Sequence, residues 1–286
     1  MYSSDRWTAL KSTISCLEKM PIFNQCQKTL IVDEQVENLP LNWNVIPIPR
    51  KNGKFCWGRA WDAGVASAQC ETVIYLDSDR LLPPNFLDKV HKTIGEKTFL
   101  FTSQHYMMLR EIPINDIHKF LTCNNPLEMI NNDEYIGFAR YEPRSQKPVH
   151  GPSKNVMSGS CAFTRNTYWN IGGVDHWYCG HGAFADNDFH MQATKHEIKF
   201  IDLNLTELHY PHGKKEDGNN LSNEDLYRLS LDNFIYYCWK WKLPLALAES
   251  FAHRCKISRP TRYVDKKMKE LKANAKEFER INVLYR

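Results

Sequence analysis

The chain has 286 residues, of which 42% are hydrophobic and 12% aromatic. That is enough for a sizeable core and excludes wholesale disorder. The formal net charge of +4 is too weak to imply nucleic-acid binding by itself.

Residues 7–20 read as an amphipathic helix, with Leu10, Ile14 and Leu17 on one face. Residues 30–32 form a short apolar strand ending at Asp33, and residues 45–48 a second strand, edge-like because of its prolines. A helix over 59–69 leads into Val73-Ile74-Tyr75-Leu76, a buried-strand pattern that runs straight into Asp77-Ser78-Asp79. Pro83-Pro84 precedes a helix over 86–93, and residues 99–103 are a further strand. This alternation predicts βαβ units and a mostly parallel sheet. Residues 124–155, rich in Asn, Pro and Gly, read as loops around a substrate site or as a mobile segment. Strand character resumes over 156–163, followed by a helix over 186–196 and a strand over 198–203. Residues 213–220 are a lid candidate, and the chain beyond is helical. There Val264, Met268, Leu271, Ala275 and Phe278 recur at spacings of four and three. Packing on the body is the favoured use of that stripe and a homo-oligomer contact the runner-up.

From Lys214 to the end the chain carries sixteen Lys/Arg against ten Asp/Glu. A basic tail fits an anionic surface, although a solvated helical face is the blander reading. Trp239-Lys240-Trp241-Lys242 could likewise be a peripheral membrane contact or a helix packed on the core. Nine cysteines, odd in number and without Cys-x-x-Cys, argue against a zinc site or a disulfide framework and for a reducing compartment. No signal peptide and no run of ~18 apolar residues stands in the sequence. The expected location is cytoplasmic, with membrane association as the alternative.

Carboxylates at a strand exit suit the place where open α/β sheets bind ligands. Asp77 and Asp79 are oxygen donors suited to Mg²⁺ or Mn²⁺, and such a cation keeps coordination sites for a diphosphate. Taken alone, Asp-x-Asp is as well an ordinary acidic turn. Asp33 and Arg6, at early element ends, can hold a base and ribose. Arg59 and Asp62 open the helix before the acidic strand. Gly172-Gly173-Val174-Asp175 and then Gly180 to Asp188 combine tight-turn glycines with acids at a helix start, where the dipole favours them. His209 and His212 flank Pro211, whose bend lets both imidazoles face one metal.

Taken together, these motifs resemble the GT-A-fold glycosyltransferases, close to family 2 with a galactosyltransferase-type C-terminal motif, over roughly residues 3–215. The resemblance implies a Rossmann-like α/β fold with a mostly parallel central sheet flanked by helices. It divides the chain into a catalytic domain (1–212), a flexible lid (213–222) and a helical C-terminal extension (223–286). It makes Asp79 the direct metal ligand, with Asp77 on ribose or the metal's waters, and His212 and His209 the late ligands. Arg6, Asp33, Arg59, Asp62, Asp77, Ser78 and Gly159 would contact the nucleotide sugar, a UDP-sugar. Lys214 and Lys215 would approach phosphate. Asp186 takes the catalytic-base position, with Ala185 where the family has Glu. Trp177, Tyr178 and Asp188 would meet the acceptor, a glycan, a lipid-linked sugar or another hydroxyl. The implied reaction is inverting, metal-dependent transfer. The rivals are a retaining transferase, a nucleotidyltransferase and a degenerate nucleotide binder. One departure stands out: the family begins with a hydrophobic central strand, and here only Met1-Tyr2 precede Ser3-Ser4-Asp5-Arg6, so that strand is expected to be very short or absent.

Overall fold

The computed structural model describes residues 7–32, 42–50, 56–109, 113–124, 126–130, 138–141, 159–179, 184–210 and 223–284. Helix α1 (Trp7–Leu17) buries Leu10, Ile14 and Leu17, the face that its sequence spacing marks. A turn of 3-10 helix at Phe23–Gln25 leads to β1 (Thr29–Val32), which pairs in parallel with β2 (Asn44–Pro47). Strand β2 is largely exposed, the edge position that Pro47, lacking an N–H, requires. The chain continues through α2 (Trp57–Ser67), β3 (Thr72–Tyr75), β4 (Arg80–Leu81), α3 (Phe86–Thr93), β5 (Thr98–Phe101) and β6 (Gln104–Met108). Then come α4 (Ile114–Thr122), α5 (Pro126–Ile130), β7 (Ala139–Tyr141), β8 (Cys161–Thr164), α6 (Arg165–Ile171), α7 (Ala185–Lys195), β9 (Lys199–Asp202) and β10 (Thr206–His209). Three helices close the chain: α8 (Asn223–Lys240), α9 (Leu245–Arg254) and α10 (Pro260–Leu284). The stretch expected as loops is thus not wholly irregular, since α5 and β7 fall inside it. The lid candidate at 213–222 lies outside the described residues.

The strands group as β1-β2, as β3-β8-β5-β9 and as β4-β10-β6-β7. The pairs β1–β2, β5–β9 and β6–β10 are parallel; β3–β8, β5–β8, β4–β10 and β6–β7 are antiparallel. Strands β1 and β3 each stand at the end of a sheet, and both line one cavity of about 390 Å³, walled also by Ile14, Trp43, Trp61 and Val65. Among the described residues no strand lies between them. The Val73-Ile74-Tyr75 run, expected to be buried, is accordingly half-buried along its length.

The main core joins the β3-β8-β5-β9 sheet to the C-terminal helices. Trp61 stacks on Tyr75 at 3.9 Å, and Phe99 on Phe163 at 5.7 Å. Phe163, Phe189, Phe234, Tyr237, Val264 and Leu271 belong to that same cluster, with Met268 packed against it. The α10 stripe is therefore used for packing on the body at Val264, Met268 and Leu271; the side chains of Ala275 and Phe278 lie outside the described ones. Trp239, Trp241 and Leu243 also pack on this core. Among the described residues, no helix is long and apolar enough to cross a membrane.

Candidate functional site

Strand β3 delivers the chain to Asp77, Ser78 and Asp79, and β4 carries it away. The Tyr75 hydroxyl donates to Asp77 Oδ1 at 2.6 Å. Burial, then the Asp77 charge, pushes the Tyr75 phenol well above its ordinary range. Thr13 on α1 donates its hydroxyl to the Ser78 carbonyl at 2.9 Å. The 390 Å³ cavity ends on Asp77 and Ser78. Strand β4 pairs antiparallel with β10, with Arg80 opposite His209, and the Tyr210 N–H donates to the Asp79 carbonyl at 2.8 Å. This register sets His209 Nε2 3.5 Å from Asp79 Oδ2, and both side chains are buried. Two residues far apart in the sequence are thus fixed side by side through backbone pairing rather than by side-chain attraction alone.

Sequence reasoning missed two members of this site, Arg80 and Glu207. Arg80 Nε lies 3.6 Å from Asp79 Oδ1 and 3.7 Å from Asp77 Oδ2, and its Nη1 lies 3.1 Å from Glu207 Oε1. Glu207 is fully buried, and its Oε2 accepts from the Thr102 hydroxyl at 2.7 Å and the Ser160 N–H at 2.9 Å. Burial alone would raise the Glu207 pKa. His105, Arg80 and the two hydrogen bonds outweigh it, and the carboxyl is held below its ordinary 4.5. The only available signal was position: an Arg directly after the acidic pair, and a Glu two residues before His209. Gly159 sits against this group, because a Cβ there would meet Glu207 Oε1 at 2.6 Å and His105 Cε1 at 2.8 Å.

A second group of side chains surrounds α7. Phe184, in the left-handed region at φ 55°, precedes the helix, and Asp186 and Asp188 fall in its first turn. The Asn187 N–H donates to Asp186 Oδ1 at 3.1 Å. Asp186 is half-buried, whereas Asp188 is fully enclosed. Asp188 accepts from Lys240 Nζ at 2.8 Å, from Gln192 Nε2 at 2.7 Å and from Trp241 Nε1 at 2.7 Å. Lys240 also donates to Asp175 at 2.7 Å, a carboxylate that takes the Tyr236 hydroxyl at 2.8 Å and the Trp177 N–H at 2.9 Å. Burial works against the Lys240 charge, but Asp188 and then Asp175 outweigh it and raise its pKa. Of the three residues expected at an acceptor, Trp177 is half-buried and stacks on Tyr236 at 4.8 Å. Tyr178 and Asp188 are fully buried and are occupied with core packing and with the Lys240 clamp.

Arg59 and Asp62 both lie on α2. Asp62 accepts from the Tyr168 hydroxyl at 2.6 Å and pairs with His176 Nε2 at 2.7 Å. It thereby fastens α2 to the turn at Gly173, whose φ of +70° calls for glycine. Arg6, Asp33, His212, Lys214 and Lys215 lie outside the described residues. The structure therefore brings Asp77, Asp79 and His209 together and stands Asp186 on a separate element. Among the described residues no three His, Cys, Asp or Glu side chains form a metal cluster. Asp79 and His209 still present one oxygen and one nitrogen donor side by side, a mixed pair that suits a first-row transition cation such as Mn²⁺ better than Mg²⁺.

The sequence matches no family model and no curated protein. The fold is similar to that of solved GT-A glycosyltransferases. GalNAc-T7, in a crystal structure with UDP, GalNAc and Mn²⁺, matches with a TM-score of 0.55 at 14% identity, covering 96% of this chain and 53% of that one. The present chain thus spans about half the length of that protein. S. aureus TarS 1–349 in complex with UDP-GlcNAc matches with a TM-score of 0.48 at 12% identity, covering 86% of this chain and 67% of that one. The likeness to GalNAc-T7 makes the architecture an α/β GT-A fold, with α8, α9 and α10 at its C-terminal end.

Proposed function

We propose that the protein is a glycosyltransferase that takes a sugar from a UDP-sugar and delivers it to an acceptor hydroxyl. The observation that carries this reading is the pairing of Asp79 with His209 at the exit of β3, 3.5 Å apart, on a GT-A fold. Asp77, Ser78 and the cavity that reaches them supply the adjoining donor face, with Arg59, Asp62 and Gly159 on the neighbouring elements. A divalent cation held by Asp79 and His209, with His212 completing the set, would supply charge neutralisation to a departing diphosphate. Arg80 adds a fixed positive charge behind both carboxylates. Asp186, in the first turn of α7, receives the acceptor hydroxyl proton as general base, which makes the reaction inverting. Trp177, half-buried against Tyr236, offers an indole for a sugar face.

Calorimetric titration of UDP with and without Mn²⁺, followed by a screen of UDP-sugars for donor hydrolysis, tests the proposal. Binding that strengthens with Mn²⁺, together with hydrolysis of at least one donor, is the expected result. Absence of UDP binding under both conditions would sink it. Arg80 favours a second reading, because a guanidinium already sits on both carboxylates: a nucleotide-binding protein that needs no metal and transfers nothing. Metal-independent UDP binding with no turnover of any donor would select that reading.

A further inference from the structure

All nine cysteines are free thiols, and two of them meet. Cys56 stands immediately before α2, and Cys179 ends the segment that follows Gly172 and Gly173, yet the two are directly opposed in an isolated antiparallel β-bridge. Opposed residues in such pairs have Cα atoms about 4.5–5.5 Å apart. That lies within the roughly 4.4–6.8 Å that a disulfide spans. Both thiols donate to one carbonyl, that of His176, from 3.3 Å for Cys56 and 3.4 Å for Cys179. Their sulfurs are therefore aimed at the same point between the two backbone segments. The transfer chemistry proposed above uses neither of them.

We infer that Cys56 and Cys179 form a thiol–disulfide exchange site, which closes into a reversible intramolecular disulfide on meeting a small-molecule disulfide such as oxidised glutathione. The two sulfurs have different access. Cys179 is half-buried, whereas Cys56 is fully buried, so Cys179 is the sulfur that a reagent meets first. The Cys56 thiol is pulled down to about 6, chiefly by the hydrogen bond from Cys179. Burial opposes that shift, and the Arg59 N–H, His176 and the Arg59 charge assist it. Cys56 is thus the more acidic thiol of the two, suited to resolve a mixed disulfide formed on Cys179.

The order of events follows from access. The Cys179 thiolate attacks one sulfur of the glutathione disulfide, forming a mixed disulfide and expelling one glutathione thiolate. The Cys56 thiolate then attacks the Cys179 sulfur and expels the second glutathione. The protein loses two electrons and two thiol protons, and one glutathione disulfide becomes two glutathione thiols. The new bond would fasten the head of α2 to the segment already joined to it by the Asp62–His176 pair at 2.7 Å.

The test is incubation of the full chain with oxidised glutathione, thiol titration and peptide mapping of the non-reduced protein. The expected result is a loss of two of the nine thiols, recovered as one cross-linked peptide pair containing Cys56 and Cys179 and reversed by dithiothreitol. In Cys56→Ser, glutathione should accumulate on Cys179, because nothing resolves the mixed disulfide. Near-UV circular dichroism identifies a variant that has failed to fold, and the unsubstituted chain supplies the primary readout in any case. Retention of all nine thiols, glutathione persisting on Cys179 of the unsubstituted chain, or a cross-link between other cysteines would overturn the inference. UDP binding is measured separately, so this result stands or falls independently of the transferase reading.

Discussion

Arg80 and Glu207 face each other at 3.1 Å between β4 and β10, with side chains 4% and 0% exposed. This ion pair lies directly behind the acidic turn, since the same guanidinium also reaches Asp77 and Asp79. A buried charge whose partner is removed costs far more than the pair contributes. Glu207→Gln is expected to destabilise the protein by about 3–5 kcal/mol, read from the urea midpoint. Because Glu207 titrates below its ordinary 4.5 when folded, its contribution is present above that pH and is lost as pH falls through the folded value. The wild type should therefore lose stability on the acid side more steeply than Glu207→Gln; parallel profiles would refute the assignment.

Lys240 holds two carboxylates, Asp175 and Asp188, from the end of α8. Lys240→Met leaves both buried without their cation and is expected to destabilise the protein by about 3–5 kcal/mol. The Lys240 pKa is raised above 10.5, so its contribution is complete below that pH and disappears as pH rises through the folded value. Thermal melts from neutral to strongly alkaline pH should show a late loss of stability in the wild type that the variant lacks.

The catalytic proposal separates two variants. Asp79→Ala should weaken Mn²⁺-dependent UDP binding at least tenfold, about 1.4 kcal/mol, by calorimetry. Asp186→Asn should leave UDP binding unchanged and lower transfer by about 10²–10⁴-fold, the usual yield of general-base catalysis. Undiminished transfer in Asp186→Asn would remove Asp186 from its role.

Two glycines make steric predictions. Gly58→Ala drives a Cβ to 2.7 Å from the Val174 carbonyl oxygen and 2.9 Å from that of Asp175, backbone atoms that cannot swing aside. Gly159→Ala meets the side chains of Glu207 and His105 instead. Both should be destabilised by about 1–3 kcal/mol, with Gly58→Ala the worse; equal melting temperatures to wild type would contradict the packing described.

The elements with strong local signals were legible in the sequence. Helix α3 occupies the expected residues, and β1, β5 and β9 arise where apolar runs fall between turn signals. Asp79 was readable because it follows an apolar strand, and His209 because it stands with His212 around a proline. Arg80 and Glu207 were not, since a two-residue strand such as β4 has no periodicity, and pairing between β4 and β10 is a tertiary fact. The interior fates of Asp188 and Tyr178 were hidden for a related reason. A carboxylate in a helix's first turn looks solvent-facing until its cation, here Lys240, is known to arrive from another helix. The opposition of Cys56 and Cys179 is likewise invisible to spacing, because it depends on two loops converging.

The cavity between β1 and β3 has a dynamic consequence. Among the described residues, the β1–β2 ribbon is held to the body by side-chain packing rather than by a shared ladder, whereas β8 is hydrogen-bonded on both flanks by β3 and β5. Backbone amides of Thr29–Val32 should exchange with deuterium well before those of Cys161–Thr164, because local opening follows the least-supported segment. Heating should release this ribbon first, while the β8 sheet persists until global unfolding.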